Sequence, residues 1–106
     1  MLSSTFLQRK VKVLLGIDDT DLYDERLDIL VGGAVNKLKS EGIENGDMFV
    51  EPDEGETMTD LVKDYLICIS YQVALDLNLD IDLQTFYVQY ITRVNELRCS
   101  IKQQQN

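Results

Sequence analysis

Between Leu7 and Ile101 apolar residues recur at helical spacing in four separate segments, and the only proline, Pro52, falls in the one long gap among them. A chain so patterned has few folds open to it. Leu7, Val11, Leu14 and Leu15 make an i, i+4, i+7, i+8 stripe, with Ser3 or Ser4 as N-cap and Gly16 as the stop. A second helix is expected from about Leu22 to Ser40, burying Tyr23, Leu27, Leu30, Val31, Ala34, Val35 and Leu38. Asp18-Asp19-Thr20-Asp21 offers oxygens to its first amides, Lys37 and Lys39 suit its carbonyl end, and Gly42 closes it. Gly32 and Gly33 stand mid-helix, where glycine costs about 1 kcal/mol relative to alanine. Either the cost is tolerated or a neighbouring helix crosses closely there.

A third helix runs from about Thr57 or Thr59 to Leu77. Leu61, Val62, Tyr65, Leu66, Ile69, Val73 and Leu77 share one face, which Ile67, Cys68, Tyr71 and Leu75 widen. A helix apolar around most of its circumference belongs at the centre of its domain. Asp82 caps a fourth helix with the stripe Leu83, Phe86, Tyr87, Tyr90, Ile91, Val94, Leu97 and Ile101; the polar tail from Lys102 is expected to fray. Residues 43–57 carry no helical stripe, only an Asn45-Gly46 turn signal and the apolar island Met48-Phe49-Val50. The fold class is therefore all-α, a small bundle of about four helices with one long loop between the second and third. A single domain over residues 1–106 is expected.

Composition narrows the chemistry. The chain has 19 acids against 10 bases and no histidine, a net charge of −9. Affinity for phosphate rests on clustered Lys and Arg, so this balance argues against nucleic-acid binding. The absence of histidine removes the commonest general base and zinc ligand. No apolar run approaches the ~20 residues that span a bilayer. The first residues lack the apolar core of a secretory signal, so a cytosolic, soluble chain is expected. Cys68 and Cys99 lie in apolar patterns without a Cys-x-x-Cys spacing and read as buried, reduced thiols.

No catalytic constellation emerges, and no cofactor or metal is called for. Counting a calcium loop from Asp19 puts Asp24 at the sixth position and Leu30 at the twelfth; counting from Asp18 puts Tyr23 and Ile29 there. Both frames lack the required glycine and glutamate, and helix capping explains the tract. Glu51, Asp53, Glu54, Glu56 and Asp60 surround Pro52 and Gly55, as suits a solvated rim better than a rigid two-metal site. No serine or cysteine has a histidine partner, and Gly32-Gly33 lies inside a helical period instead of opening a phosphate loop.

Charge is distributed unevenly along the chain. Residues 1–16 hold Arg9, Lys10 and Lys12 with no acid, whereas residues 17–64 hold fifteen acids against four bases. A basic first helix can meet an acidic middle head-to-tail between copies, which would set register and encounter. Candidate interface residues are Arg9, Lys10 and Lys12 on one side. Met48, Phe49, Val50, Glu51, Asp53 and Glu54 of the long loop stand on the other. The same acidity fits an alternative, an acidic helical binding module acting on a basic partner as a DNA mimic or regulator.

The stretch Val13-Leu14-Leu15-Gly16-Ile17-Asp18-Asp19-Thr20-Asp21-Leu22-Tyr23-Asp24-Glu25-Arg26-Leu27-Asp28-Ile29-Leu30-Val31-Gly32-Gly33-Ala34 resembles the opening of the head–tail connector (adaptor, head-completion) proteins of tailed bacteriophages. There a short first helix ends in an apolar-Gly/Arg-Ile-Asp turn, and an acidic run leads into a second helix with a late alanine. A loop and a third helix rich in Leu, Ile, Ala and Tyr follow, as in Leu61 to Leu77. The likeness covers roughly Leu7 to Leu79. It implies a non-enzymatic virion subunit at the head–tail interface, assembled in the host cytoplasm. It also implies a homo-oligomeric ring of about twelve copies under the portal protein. Such a ring extends the DNA channel and docks the next head-completion or tail protein. The C-terminal segment, with Arg98, Ile101 and Lys102, would reach toward the portal. DNA would pass an acidic wall without specific binding, since like charge does not hold phosphate. No contact with a membrane is implied.

Overall fold

A computed structural model describes residues 1–17, 24–77 and 82–105, without the side chains of Leu83, Phe86 and residues 103–105. The described residues form α1 (Ser4–Leu15), α2 (Asp24–Ser40), α3 (Asp60–Leu77) and α4 (Leu83–Gln105), and include no strand. The Asp18–Asp21 capping tract, Tyr23 and the inward positions Leu83 and Phe86 fall outside this description.

Each helix boundary has a local cause. Ser3 accepts the Phe6 amide at 3.1 Å and starts α1. Gly16 ends it in the left-handed region at φ 69°, with the Ile17 amide reaching back to the Lys12 carbonyl at 2.9 Å. The same device ends α2. Gly42 stands at φ 89°, its amide bonds the Lys39 carbonyl at 3.0 Å, and the Ile43 amide bonds the Leu38 carbonyl at 2.9 Å. Leu38 and Ile43 are both fully buried, which completes the apolar contact of a Schellman ending. Thr59 opens α3 by accepting the Val62 amide at 3.3 Å. Asp82 opens α4, taking both the amide (3.2 Å) and the hydroxyl (2.7 Å) of Thr85, and those bonds hold its carboxyl below the usual range.

Helix α3 is central, with α1, α2 and α4 all packed on it and α1 also on α2. Phe6, Leu7 and Val11 from α1 and Leu27, Val31, Ala34 and Leu38 from α2 meet Val62, Tyr65, Leu66, Ile69 and Val73 of α3. From α4 come Tyr90, Val94, Leu97 and Ile101. Tyr90 stacks on Tyr71 with ring centroids 4.6 Å apart. Arg93 bridges to Asp64 at 3.2 Å, and burial raises the Asp64 carboxyl while Arg93 opposes that shift.

Several expected core positions lie outside the core. Leu14, Leu75, Tyr87 and Ile91 are 47%, 41%, 49% and 40% exposed, because three helices around α3 do not cover every apolar side chain the stripes supply. Cys99 is exposed, not buried; Cys68 is buried, and desolvation pushes its thiol up to about 12. Helix α4 extends through Gln105, beyond the buried Leu97 and Ile101. Among the described residues nothing lies within 4 Å of a Cβ added at Gly32 or Gly33, so no described neighbour needs either glycine.

The connection between α2 and α3 is part of the core. Ile43 and Phe49 are fully buried, and Phe49 packs on Tyr65 with centroids 4.6 Å apart. Asn45 and Leu2 exchange two hydrogen bonds, at 2.8 and 2.9 Å, and the Ser3 amide donates to Glu51 at 2.7 Å. The loop is thus tied to the start of α1.

Two predictions follow from this packing. Phe49→Ala lowers stability in urea unfolding by about 3–5 kcal/mol, whereas Val50→Ala stays within about 0.5 kcal/mol. The glycines divide in the same assay: Gly16→Ala destabilises by about 1–2 kcal/mol, and Gly32→Ala stabilises the free chain by about 0.5–1 kcal/mol.

Candidate functional site

The sequence-derived interface residues divide into three groups in the structure. The first is the basic edge of α1. Lys12 is almost buried and forms an ion pair with Asp24 of the same chain, while Gln8 donates to Asp28 at 2.8 Å. Part of the complementarity between first helix and acidic middle is therefore used within one subunit. Arg9 and Lys10 point the other way, 6.0 and 5.8 Å from the centroid of the Phe6 ring. They line a cleft of about 690 Å³ with Pro52, Asp53, Glu54, Glu56, Met58 and Lys63. Opposite charges face each other across it, and none of them closes to an ion pair among the described residues.

The second group is the loop. Phe49 is consumed by the core, Met48 is half-buried against it, and Val50 is 65% exposed. Of the apolar island, Val50 is the side chain left for a partner. Glu51 is exposed and committed to Ser3, whose hydroxyl and amide hold its carboxyl below the usual range. Asp53 and Glu54 border the cleft and remain exposed.

The third group is the end of α4. Arg98 donates from Nε to the Glu41 carbonyl at 2.7 Å, beside the end of α2, with its guanidinium 3.9 Å from the Glu41 carboxylate. Tyr90 donates to the same carboxylate at 3.2 Å, and burial pushes the phenol up to about 12. Ile101 is buried and Lys102 exposed. Arg98 and Ile101 thus anchor α4, and Lys102 is the exposed member of the trio.

Sequence reasoning missed a groove beside the cleft. Val13 and Leu14 of α1, Met58, and Leu66 and Ile67 of α3 line an apolar depression of about 340 Å³, flanked by Lys10 and Lys63. Val13 is 73% exposed. Its signal was present: Phe6, Leu7, Val11, Val13, Leu14 and Leu15 are more apolar residues than one buried face of a three-turn helix can hold. On α4, Tyr87, Val88 and Ile91 form a second exposed apolar surface.

No group of three or more Cys, Asp or Glu comes together as metal ligands among the described residues. No helix among them is long and apolar enough to cross a membrane. The buried Tyr65 hydroxyl and Ser70 hydroxyl have no hydrogen-bond partner among the described residues, and both sit in the apolar interior of α3 away from the cleft.

No curated protein and no solved structure matches the chain. The scan of family models does find a match, to one described as phage connector protein, and it spans residues 7–105. That range takes in all but the first turn of α1 and runs to the last residue of α4, with the groove, the exposed α4 face and all of the cleft lining but Phe6 inside it. The chain belongs to the phage connector protein family, a family of structural phage proteins.

Proposed function

We propose that the chain is the head–tail connector subunit of a tailed bacteriophage. About twelve copies form a ring under the portal protein, extend the DNA channel and dock the next head-completion or tail protein. The observation that carries this reading is the family match over nearly the whole chain. The structure supports it physically: a small all-α subunit buries a core of its own yet leaves apolar side chains exposed on α1, α2 and α4. Monomers that expose such surfaces use them for contacts. The subunit works by shape and charge, and no reaction is assigned to it.

In this reading the basic edge of α1, with Arg9 and Lys10, and the exposed loop residues Val50, Asp53 and Glu54 lie at subunit or partner contacts. Lys102 at the end of α4 faces the portal, with Arg98 and Ile101 holding that end in place. Exposed acids outside those contacts suit a wall past which DNA moves without being held, because like charge does not bind phosphate.

Incubation with the portal of the same virus, followed by electron microscopy, tests this. The expected result is an extra ring on the portal, with about as many copies as the portal has subunits or a simple divisor of that number. A chain that neither forms rings nor adds to the portal overturns the reading. Capture of a basic DNA-binding protein instead would favour the acidic binding module.

A further inference from the structure

Two walls of the charged cleft are joined by few bonds. On one side stand Phe6, Arg9 and Lys10 of α1; on the other runs the loop from Pro52 to Met58. The backbone bonds of the loop are local. The Gly46 amide donates to the Glu44 carbonyl at 2.9 Å, Phe49 to Gly46 at 3.1 Å and Glu56 to Asp53 at 2.9 Å. None of these fixes the loop relative to α1. Among the described residues, the hydrogen bonds that do so all involve Leu2 and Ser3.

Both residues are suited to that task. Leu2 is only 2% exposed although it precedes α1, so its side chain joins the core and holds the backbone there. The Asn45 carboxamide uses both of its ends on Leu2, accepting from the amide at 2.8 Å and donating to the carbonyl at 2.9 Å. An ionised aspartate of the same shape makes only the first of these bonds. Ser3 serves two elements. Its hydroxyl caps the Phe6 amide and its carbonyl takes the Leu7 amide, while its own amide donates to the Glu51 carboxylate at 2.7 Å. The first turn of α1 and the loop therefore share one residue.

We propose that Leu2 and Ser3 form a strap, and that strap, loop residues 45–56 and the first turn of α1 open and close as one cooperative unit, separable from the core around α3. Docked, the strap sets one wall of the cleft against the other and so positions Val50, Asp53 and Glu54 relative to Arg9 and Lys10. Released, it leaves the helices packed and Phe49 on Tyr65 as the anchor of the loop. Units with exposed backbone bonds and few buried side chains lie at the low-stability end of a protein. The family match begins at residue 7, so the strap stands outside the matched range. Its role in assembly rests on the connector reading: a contact forms more readily when the residues that make it are already ordered.

Amide hydrogen exchange on the full chain reads this coupling. Asn45→Asp keeps the size of the side chain and removes one bond to Leu2, and Glu51→Ala removes the bond to Ser3. The amides to follow are Phe6 and Leu7 of α1 and Phe49 and Glu56 of the loop, none of which donates to residue 45 or 51. In either variant all four should exchange about tenfold faster, and by a common factor. The Ile69 and Val73 amides of α3 should change by less than about twofold. Val50→Ala, an exposed change in the same loop, should move none of them.

Unchanged rates in both variants, or loop amides that quicken while Phe6 and Leu7 keep theirs, would overturn the shared unit. Acceleration of Ile69 and Val73 by the same factor would overturn its separation from the core. Assembly has its own readout: on the portal of the same virus, Asn45→Asp should need severalfold more protein than the unaltered chain to give as many rings by electron microscopy. Equal assembly by a variant whose exchange has quickened would overturn the positioning role and leave the connector reading standing. An unaltered chain that forms no ring overturns the connector reading and the role in assembly with it, and the exchange rates alone then decide the strap.

Discussion

The burial of α3 is the constraint from which the rest of the structure follows. Its apolar residues occupy most of its circumference, so in water it must be covered on several sides at once. Three helices are available, and three leave a gap. The loop between α2 and α3 fills part of it by putting Phe49 on Tyr65 and tying Asn45 and Glu51 to the start of α1. What the loop does not fill, near Ile67 and beside Val13 and Leu14, is the apolar groove, which Met58 of the loop borders. The groove is the uncovered remainder of a helix too apolar for the number of its neighbours.

Charge is arranged around the same gap. Lys12 is neutralised within the chain by Asp24, and Arg93 and Arg98 of α4 are paired with Asp64, Glu96 and Glu41. Arg9, Lys10 and Lys63 remain at the cleft and groove, across from Asp53, Glu54 and Glu56. Because loop acids stand opposite these cations, the basic edge does not make a field that would draw in DNA. It still discriminates at contact distance, where an acid placed next to the groove meets lysines and a base meets repulsion.

Much of this was legible in the sequence, and for identifiable reasons. Ser3, Gly16, Gly42, Thr59 and Asp82 act at helix ends through their own side chains or backbone freedom, so local reading finds them. Leu27, Val31, Ala34 and Leu38 of α2 and Val62, Tyr65, Leu66, Ile69 and Val73 of α3 repeat at one clear period and are buried as expected, with Leu30, Val35, Leu61 and Leu77 partly buried. Leu14, Tyr87 and Ile91 were not legible as exposed residues, because periodicity says which side chains share a face and not whether another helix is there to cover it. Phe49 shows the opposite limit. Three apolar residues in a loop read as an interface, and only the geometry of Tyr65 reveals that the middle one belongs to the subunit's own core.

The mid-helix glycines connect these points. Gly32 and Gly33 lower helix stability, and no described neighbour would meet a side chain added at either, so the described residues give no packing reason for them. A folded unit of this size buries only about two thirds of its unfolded surface, and a loss of about 1 kcal/mol per glycine is a large fraction of such a margin. Both glycines lie on the outer side of α2, one turn from an isoleucine that is more than two thirds exposed. A monomer optimised for its own stability would carry alanines there and a polar residue at 29. Keeping an apolar side chain and bare backbone on one helix, and an apolar groove edged by lysines elsewhere, makes sense when stability is completed by neighbours.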